Sequence, residues 1–202
     1  LGNGVDNDDI LREGLQTGVI LNGGVYISTH IEVPGTVEQT GGSCKLFFGP
    51  ARGDIEPFRP VESMFKAAGI DVTLSSDVRR DVWGKFIFIG PTAGVTSMYG
   101  STIGQVLNDP SKKSVLAGLM REVEAVARAQ GVQLSDGIVD EALGRAASFP
   151  PDTKSSMQLD VERGRKTEIE TMLGYAVRKG RELGVPTPLH EQVYAALARV
   201  AR

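Results

Sequence analysis

The 202-residue chain has a single cysteine, Cys44, and only two histidines, His30 and His190. One cysteine cannot close a disulfide within the chain, and these three residues cannot assemble a Cys/His metal cluster, so no metal site is expected. Basic residues are not in excess: 22 Lys and Arg face 25 Asp and Glu, a formal net charge of −3, which leaves no electrostatic footprint for nucleic acid. No apolar run is long enough to span a bilayer, and membrane insertion is not expected. With no disulfide possible within the chain, a reducing, cytoplasmic setting is expected; the chain begins "LGNGVDNDDI", with no initiator methionine and no signal-peptide pattern, as expected of a piece of something longer. Also absent are a G-x-G-x-x-G and a P-loop, the glycine-rich turns that cradle a pyrophosphate or triphosphate.

What is present falls into two halves. Residues 19–50 are rich in Val, Ile, Thr and Phe and are punctuated by Gly23-Gly24, Pro34-Gly35 and Gly41-Gly42, which predicts strands separated by turns at those three places. "VESMFKAAGI" predicts a short helix ending near Gly69, and "DVTLS" one more strand. After Asp77 the strand signal gives way to helical periodicity, with about six helices expected. Their buried faces are read as Leu116, Met120, Val123 and Ala127; Ile169, Met172, Leu173, Ala176 and Val177; and Leu189, Val193, Leu197 and Val200. The fold class expected is an α/β part over residues 1–77 followed by an all-α helical domain over 78–202.

The stretch "KSSMQLDVERGRKTEIE", residues 154–170, decides how polar groups can converge. As one helix it would hold Ser156 and Glu168 roughly 18 Å apart, at about 1.5 Å of rise per residue. Gly164 is a good terminator, and Thr167 with Glu170 spells a T-x-x-E capping box. Two helices with a bend near Gly164 are therefore expected.

Lys85 lies in "DVWGKFIFIG" among large apolar residues. Held there, its ammonium would lose hydration and its pKa would fall toward a range suited to proton transfer; the alternative is a lysine that extends its charge to solvent. Glu168 can orient a ligand hydroxyl or a ribose, or simply complement a helix dipole. Ser156 can hydrogen-bond a carboxylate, or cap a helix. Asn3, in "GNGVDN", fits a structural turn, and Arg178, Lys179 and Arg181 fit dipole partners at a helix C-terminus.

Taken in order, "GNGVDN", "GGVYISTHIEVPGTVEQTG", "KLFFGP", "VWGKFIF", "SSMQLDVERGRKTEIE" and "ELGVPTP" resemble the ketopantoate reductase (2-dehydropantoate 2-reductase) family over essentially the whole chain. The resemblance implies a Rossmann-type nucleotide-binding domain, of which residues 1–77 are the C-terminal part. The helical domain that follows is of the 6-phosphogluconate dehydrogenase C-terminal type. It implies reduction of a 2-oxo acid with hydride from NADPH, 2-dehydropantoate to pantoate in pantothenate and coenzyme A biosynthesis, in a cleft between the domains. Lys85 then matches the general acid, Glu168 the active-site glutamate near substrate and cofactor, Ser156 the substrate-contacting serine, and Asn3 an asparagine touching substrate and cofactor. A second copy of the chain is a candidate partner. The family's G-x-G-x-x-G would precede Leu1, so the chain reads as a C-terminal piece.

The pattern is not complete. Family members carry asparagines where this chain has Ile89, Ala93, Ile103 and Thr153. A buried amide that binds a substrate hydroxyl discriminates strongly, whereas an apolar wall selects mostly by size. A relative acting on another 2-oxo or 3-oxo acid, and a non-catalytic helical dimerisation module, stay open as alternatives.

Overall fold

The computed structural model describes residues 1–199, without the side chains of residues 28, 30 and 40–42. It divides into two compact units, Leu1–Val82 and Trp83–Arg202.

The first unit opens with helix α1 (Asn7–Gly14) and continues into a long antiparallel pair, β1 (Leu21–Val33) and β2 (Thr36–Pro50). A 3₁₀ turn (Glu56–Phe58), α2 (Arg59–Ala67) and β3 (Val72–Leu74) complete it, with β3 parallel to β2. The order β1-β2-β3 makes β2-α2-β3 a crossover unit, because parallel neighbours cannot be joined by a tight turn. Its core is Leu46, Phe48, Val72 and Leu74, against which Leu21, Val25, Phe58, Val61 and Phe65 pack. The helix over 59–67 and its stop at Gly69, with φ +78°, agree with the sequence reading.

Only one of the three predicted turns between residues 19 and 50 exists. The chain reverses at Pro34-Gly35, whereas Gly23-Gly24 lies inside β1 and Gly41-Gly42 inside β2. Gly23 serves close approach instead of reversal: a Cβ there would lie 2.3 Å from the Phe47 carbonyl oxygen across the ladder. Register shifts between Tyr26 and Thr29, and Cys44 at φ 54°, mark where the ribbon bulges. Helix α1, which the sequence reading did not anticipate, has no buried residue.

From Val78 onward the described residues contain no strand. Seven helical segments follow: α3 (Val78–Tyr99), α4 (Ile103–Asn108), α5 (Pro110–Ala129), α6 (Ile138–Ala147), α7 (Ser156–Glu162), a π-helical turn (Glu170–Gly174) that runs into α8 (Tyr175–Leu183), and α9 (Pro188–Leu197). The predicted faces are buried: Leu116, Met120, Val123 and Ala127 on α5, and Ile169, Met172, Leu173, Ala176 and Val177 around α8. On α9, Val193 and Leu197 are buried and Leu189 half-buried, while Val200 lies outside the described residues.

Two close approaches organise this unit around α3. A Cβ on Gly90 would stand 2.9 Å from the Met172 carbonyl oxygen, and one on Gly94 2.8 Å from Leu173 Cδ2. The glycines, one turn apart, therefore let α3 lie directly against the π-helical turn. Trp83, Phe86 and Tyr175 pack edge-on or tilted at centroid distances of 5.9 to 6.1 Å beside that contact. In the same unit Glu122 on α5 caps α9. Its carboxylate accepts from the backbone N–H of Leu189 at 2.8 Å and of His190 at 2.9 Å, and pairs with the fully buried His190 Nδ1 at 2.7 Å.

Candidate active site

The bend anticipated near Gly164 is present. α7 ends at Glu162, Gly164 adopts φ +61°, and helical structure resumes at Ile169. A left-handed residue reverses the carbonyl direction and stops a helix, and glycine adopts it without steric cost. The capping box at Thr167 is not formed: no side chain caps the restart. Glu170 is drawn the other way, accepting from Arg178 Nη1 at 2.8 Å and from the Tyr194 hydroxyl. Its phenol partner is pushed up in pKa by that bond, then by burial. The restart is closed by a main-chain bond, Met172 N–H donating to the Glu168 carbonyl at 2.8 Å. Glu168 thus sits at the mouth of the segment, exposed, two residues before the π-helical residues. Arg178 pairs with Glu170, Lys179 with Glu182 and Arg181 with Glu191.

Lys85 is 7% exposed on α3, so it does not extend its charge to bulk solvent. Burial lowers its pKa, and the carboxylate of Glu168 opposes that by favouring the ammonium. Lys85 and Glu168 are therefore electrically coupled within the helical unit. An amine made easier to deprotonate by desolvation, yet kept cationic enough by one carboxylate to donate, has the character of a proton donor to a developing alkoxide.

The stripe of α3 that bears Lys85 continues through Ile89, Thr92 and Thr96, all within about half a helical face at 100° per residue. Thr96 Oγ1 lies 2.8 Å from the Thr92 carbonyl and 2.8 Å from Ser155 Oγ. Ser155, not Ser156, caps α7: its Oγ accepts from Gln158 N–H at 3.1 Å. This leaves Ser156 exposed at the first position of the helix, with its hydroxyl not consumed as a cap. Ser156 reaches the Lys85 stripe only through its neighbour, three turns farther along. The Thr96–Ser155 bridge was missed in the sequence; Thr96 at eleven residues from Lys85 was the available signal, while the choice between two adjacent serines was not.

Of the positions where the pattern departs, Ala93 and Ile103 are buried and Ile89 and Thr153 half-buried. Thr153 contributes its carbonyl to the Ile103 N–H at 2.9 Å. Asn3 belongs to the first unit, half-buried in a bend whose Gly4 carbonyl accepts from Asn7 Nδ2 at 3.1 Å. The described residues contain no group of His, Cys, Asp and Glu able to hold a metal, and no helix long and apolar enough to cross a membrane.

Residues 77–201 match the family described as ketopantoate reductase PanE/ApbA, C-terminal. The chain belongs to the ketopantoate reductase family. A 2-dehydropantoate 2-reductase of Halobacterium salinarum is 27% identical over 203 residues, covering all of this chain and 66% of that protein. An uncharacterized oxidoreductase of Bacillus subtilis, YkpB, is 28% identical over 179 residues, covering 88% of this chain and 59% of its own. The crystal structure of a PanE/ApbA family ketopantoate reductase from Ralstonia eutropha superposes with a TM-score of 0.89 at 31% identity, covering all of this chain and 65% of that one. The chain thus spans somewhat under two thirds of the length of these relatives, and a small sheet followed by a mostly helical body is the architecture it shares with them.

Proposed function

We propose that the protein to which this chain belongs is an oxidoreductase that reduces the ketone of a 2-oxo acid to a 2-hydroxy acid, with NADPH as the hydride source. The observation that carries the reading is Lys85: an ammonium buried in the helical unit and coupled to a carboxylate, at the position where the family resemblance places the general acid. Reduction places negative charge on the carbonyl oxygen. Lys85 stabilises that charge and transfers its proton to the oxygen as the alcohol forms, then recovers a proton from solvent. Glu168 holds the lysine in its charged form until transfer. Ser156, whose hydroxyl is not used as a cap, is read as a substrate contact. The nicotinamide cofactor, when bound, supplies the hydride that becomes the new C–H bond.

Taken separately, Asn3 in the first unit offers an amide and Glu168 in the second a carboxylate, groups suited to the ribose or carboxamide end of such a cofactor, whereas the chain holds no G-x-G-x-x-G to cradle a pyrophosphate. Residues 1–77 are read accordingly as the C-terminal part of the nucleotide-binding domain and 78–202 as the catalytic helical domain. The 202 residues by themselves should bind NADPH weakly, and submicromolar binding would overturn that assignment.

The test is steady-state kinetics of the full-length gene product with NADPH and a panel of 2-oxo acids. Lys85→Ala should lower kcat by about 10²- to 10⁴-fold, while Ser156→Ala should chiefly raise KM. Near-UV circular dichroism checks that each variant keeps its fold. Unchanged turnover in folded Lys85→Ala would remove the proposed chemistry and leave a helical interaction module as the better reading.

A further inference from the structure

Resting on the reductase reading, we infer that the acid taken at this site carries an apolar side chain, and that Ile89 is the residue that selects it. Every residue of α3 from Lys85 to Ser97 is buried except Ile89, which is half-buried. Ile89 follows Lys85 by four residues, so the two are surface neighbours about 6 Å apart on the helix. A substrate that reaches Lys85 along this face of α3 therefore meets Ile89, the one residue of the stretch that is not buried.

No hydrogen-bonding side chain competes with it on that stripe. Ala93 has none to offer. The Thr96 hydroxyl is engaged by the Thr92 carbonyl and by Ser155. Thr92 Oγ1 has no hydrogen-bond partner among the described residues, but it is sealed in a residue only 5% exposed. A hydroxyl on the substrate's side chain would thus lose water at Ile89 and gain no partner from α3, whereas a methyl in the same place would gain contact. The 2-dehydropantoate of the relatives' names has such a hydroxyl. The geometry points instead to branched aliphatic or aryl 2-oxo acids.

A matched pair tests this directly: 2-dehydropantoate and trimethylpyruvate, which differ only by that hydroxyl. In the full-length enzyme, kcat/KM should favour trimethylpyruvate by about 10- to 100-fold, the range an apolar pocket achieves against a hydroxylated isostere. Ile89→Asn should move the ratio toward 2-dehydropantoate by at least about tenfold, whereas Thr92→Val should leave it unchanged. Equal or better use of 2-dehydropantoate by the wild-type enzyme overturns the inference without touching the reductase reading, and requires no variant to fold. A shift of the ratio in Thr92→Val also overturns it, since the hydroxyl would then be recognised at Thr92. Absence of NADPH or NADH oxidation with every 2-oxo acid tried brings down both.

Discussion

The bridge between Thr96 and Ser155 should be separable from the cap that Ser155 provides. Thr96 is 1% exposed, and its hydroxyl proton is directed to the Thr92 carbonyl at 2.8 Å, so Ser155 is the donor in the 2.8 Å contact between the two oxygens. Thr96→Val preserves shape and leaves the cap on Gln158 N–H intact; it removes the back-bond to the Thr92 carbonyl, an acceptor inside the helix, at little cost, and the bond from Ser155 at a cost of about 1 kcal/mol. Ser155→Ala removes the same bond and also the cap, a further ~1 kcal/mol, for about 2 kcal/mol in total. Because the bridge is already gone in Ser155→Ala, the double variant should cost about 2 kcal/mol and not the additive ~3, a coupling near 1 kcal/mol. Urea unfolding followed by Trp83 fluorescence is the assay. Trp83 is the chain's only tryptophan and is 2% exposed inside the helical unit, so the signal reports that unit alone. Additivity within ~0.3 kcal/mol would show that the two hydroxyls are neighbours without being partners, and α7 would then owe its place to Met157 and the rest of its buried face.

Further outcomes follow from the same packing. Gly90→Ala gains about 1 kcal/mol of helix propensity, yet its methyl meets the Met172 carbonyl, and chemical denaturation should show a net loss of about 1 kcal/mol or more. Glu122→Ala strips three hydrogen bonds from the start of α9 and should destabilise the helical unit by about 2–4 kcal/mol in the same assay; a loss below ~1 kcal/mol would mean water replaces the carboxylate. For Lys85 the sign runs with burial. Its folded pKa is lowered, so between that value and the ordinary lysine pKa of about 10.4 the unfolded chain binds more protons and stability rises with pH. Lys85→Met should accordingly be more stable than the wild type near pH 7, with the difference shrinking toward pH 10; a difference independent of pH would place the ammonium in water.

The alternation of strand and helix, the switch to pure helix after Asp77, and the bend at Gly164 were determined by the sequence alone. Each depends on local chemistry: β-branched runs, a 3.6-residue apolar period, and a glycine free to take positive φ. Legible too was Lys85 as an unusual lysine, since its neighbours on both sides are large and apolar. The turns at Gly23-Gly24 and Gly41-Gly42 were misread because glycine has two uses, reversal and close approach, and the choice between them belongs to the opposite strand. Thr167 and Glu170 spell a cap, but Arg178 and Tyr194, brought near by the π-helical turn and α9, hold Glu170 more strongly than an amide at a helix start does. Only the tertiary structure coupled Glu168 to Lys85, tied Ser155 to Thr96 across 59 residues, and left Ile89, one turn along α3 from Lys85, half-buried. Those pairings depend on how closely α3 can approach the π-helical turn, a distance fixed by two missing Cβ atoms on α3 and by the residues they face.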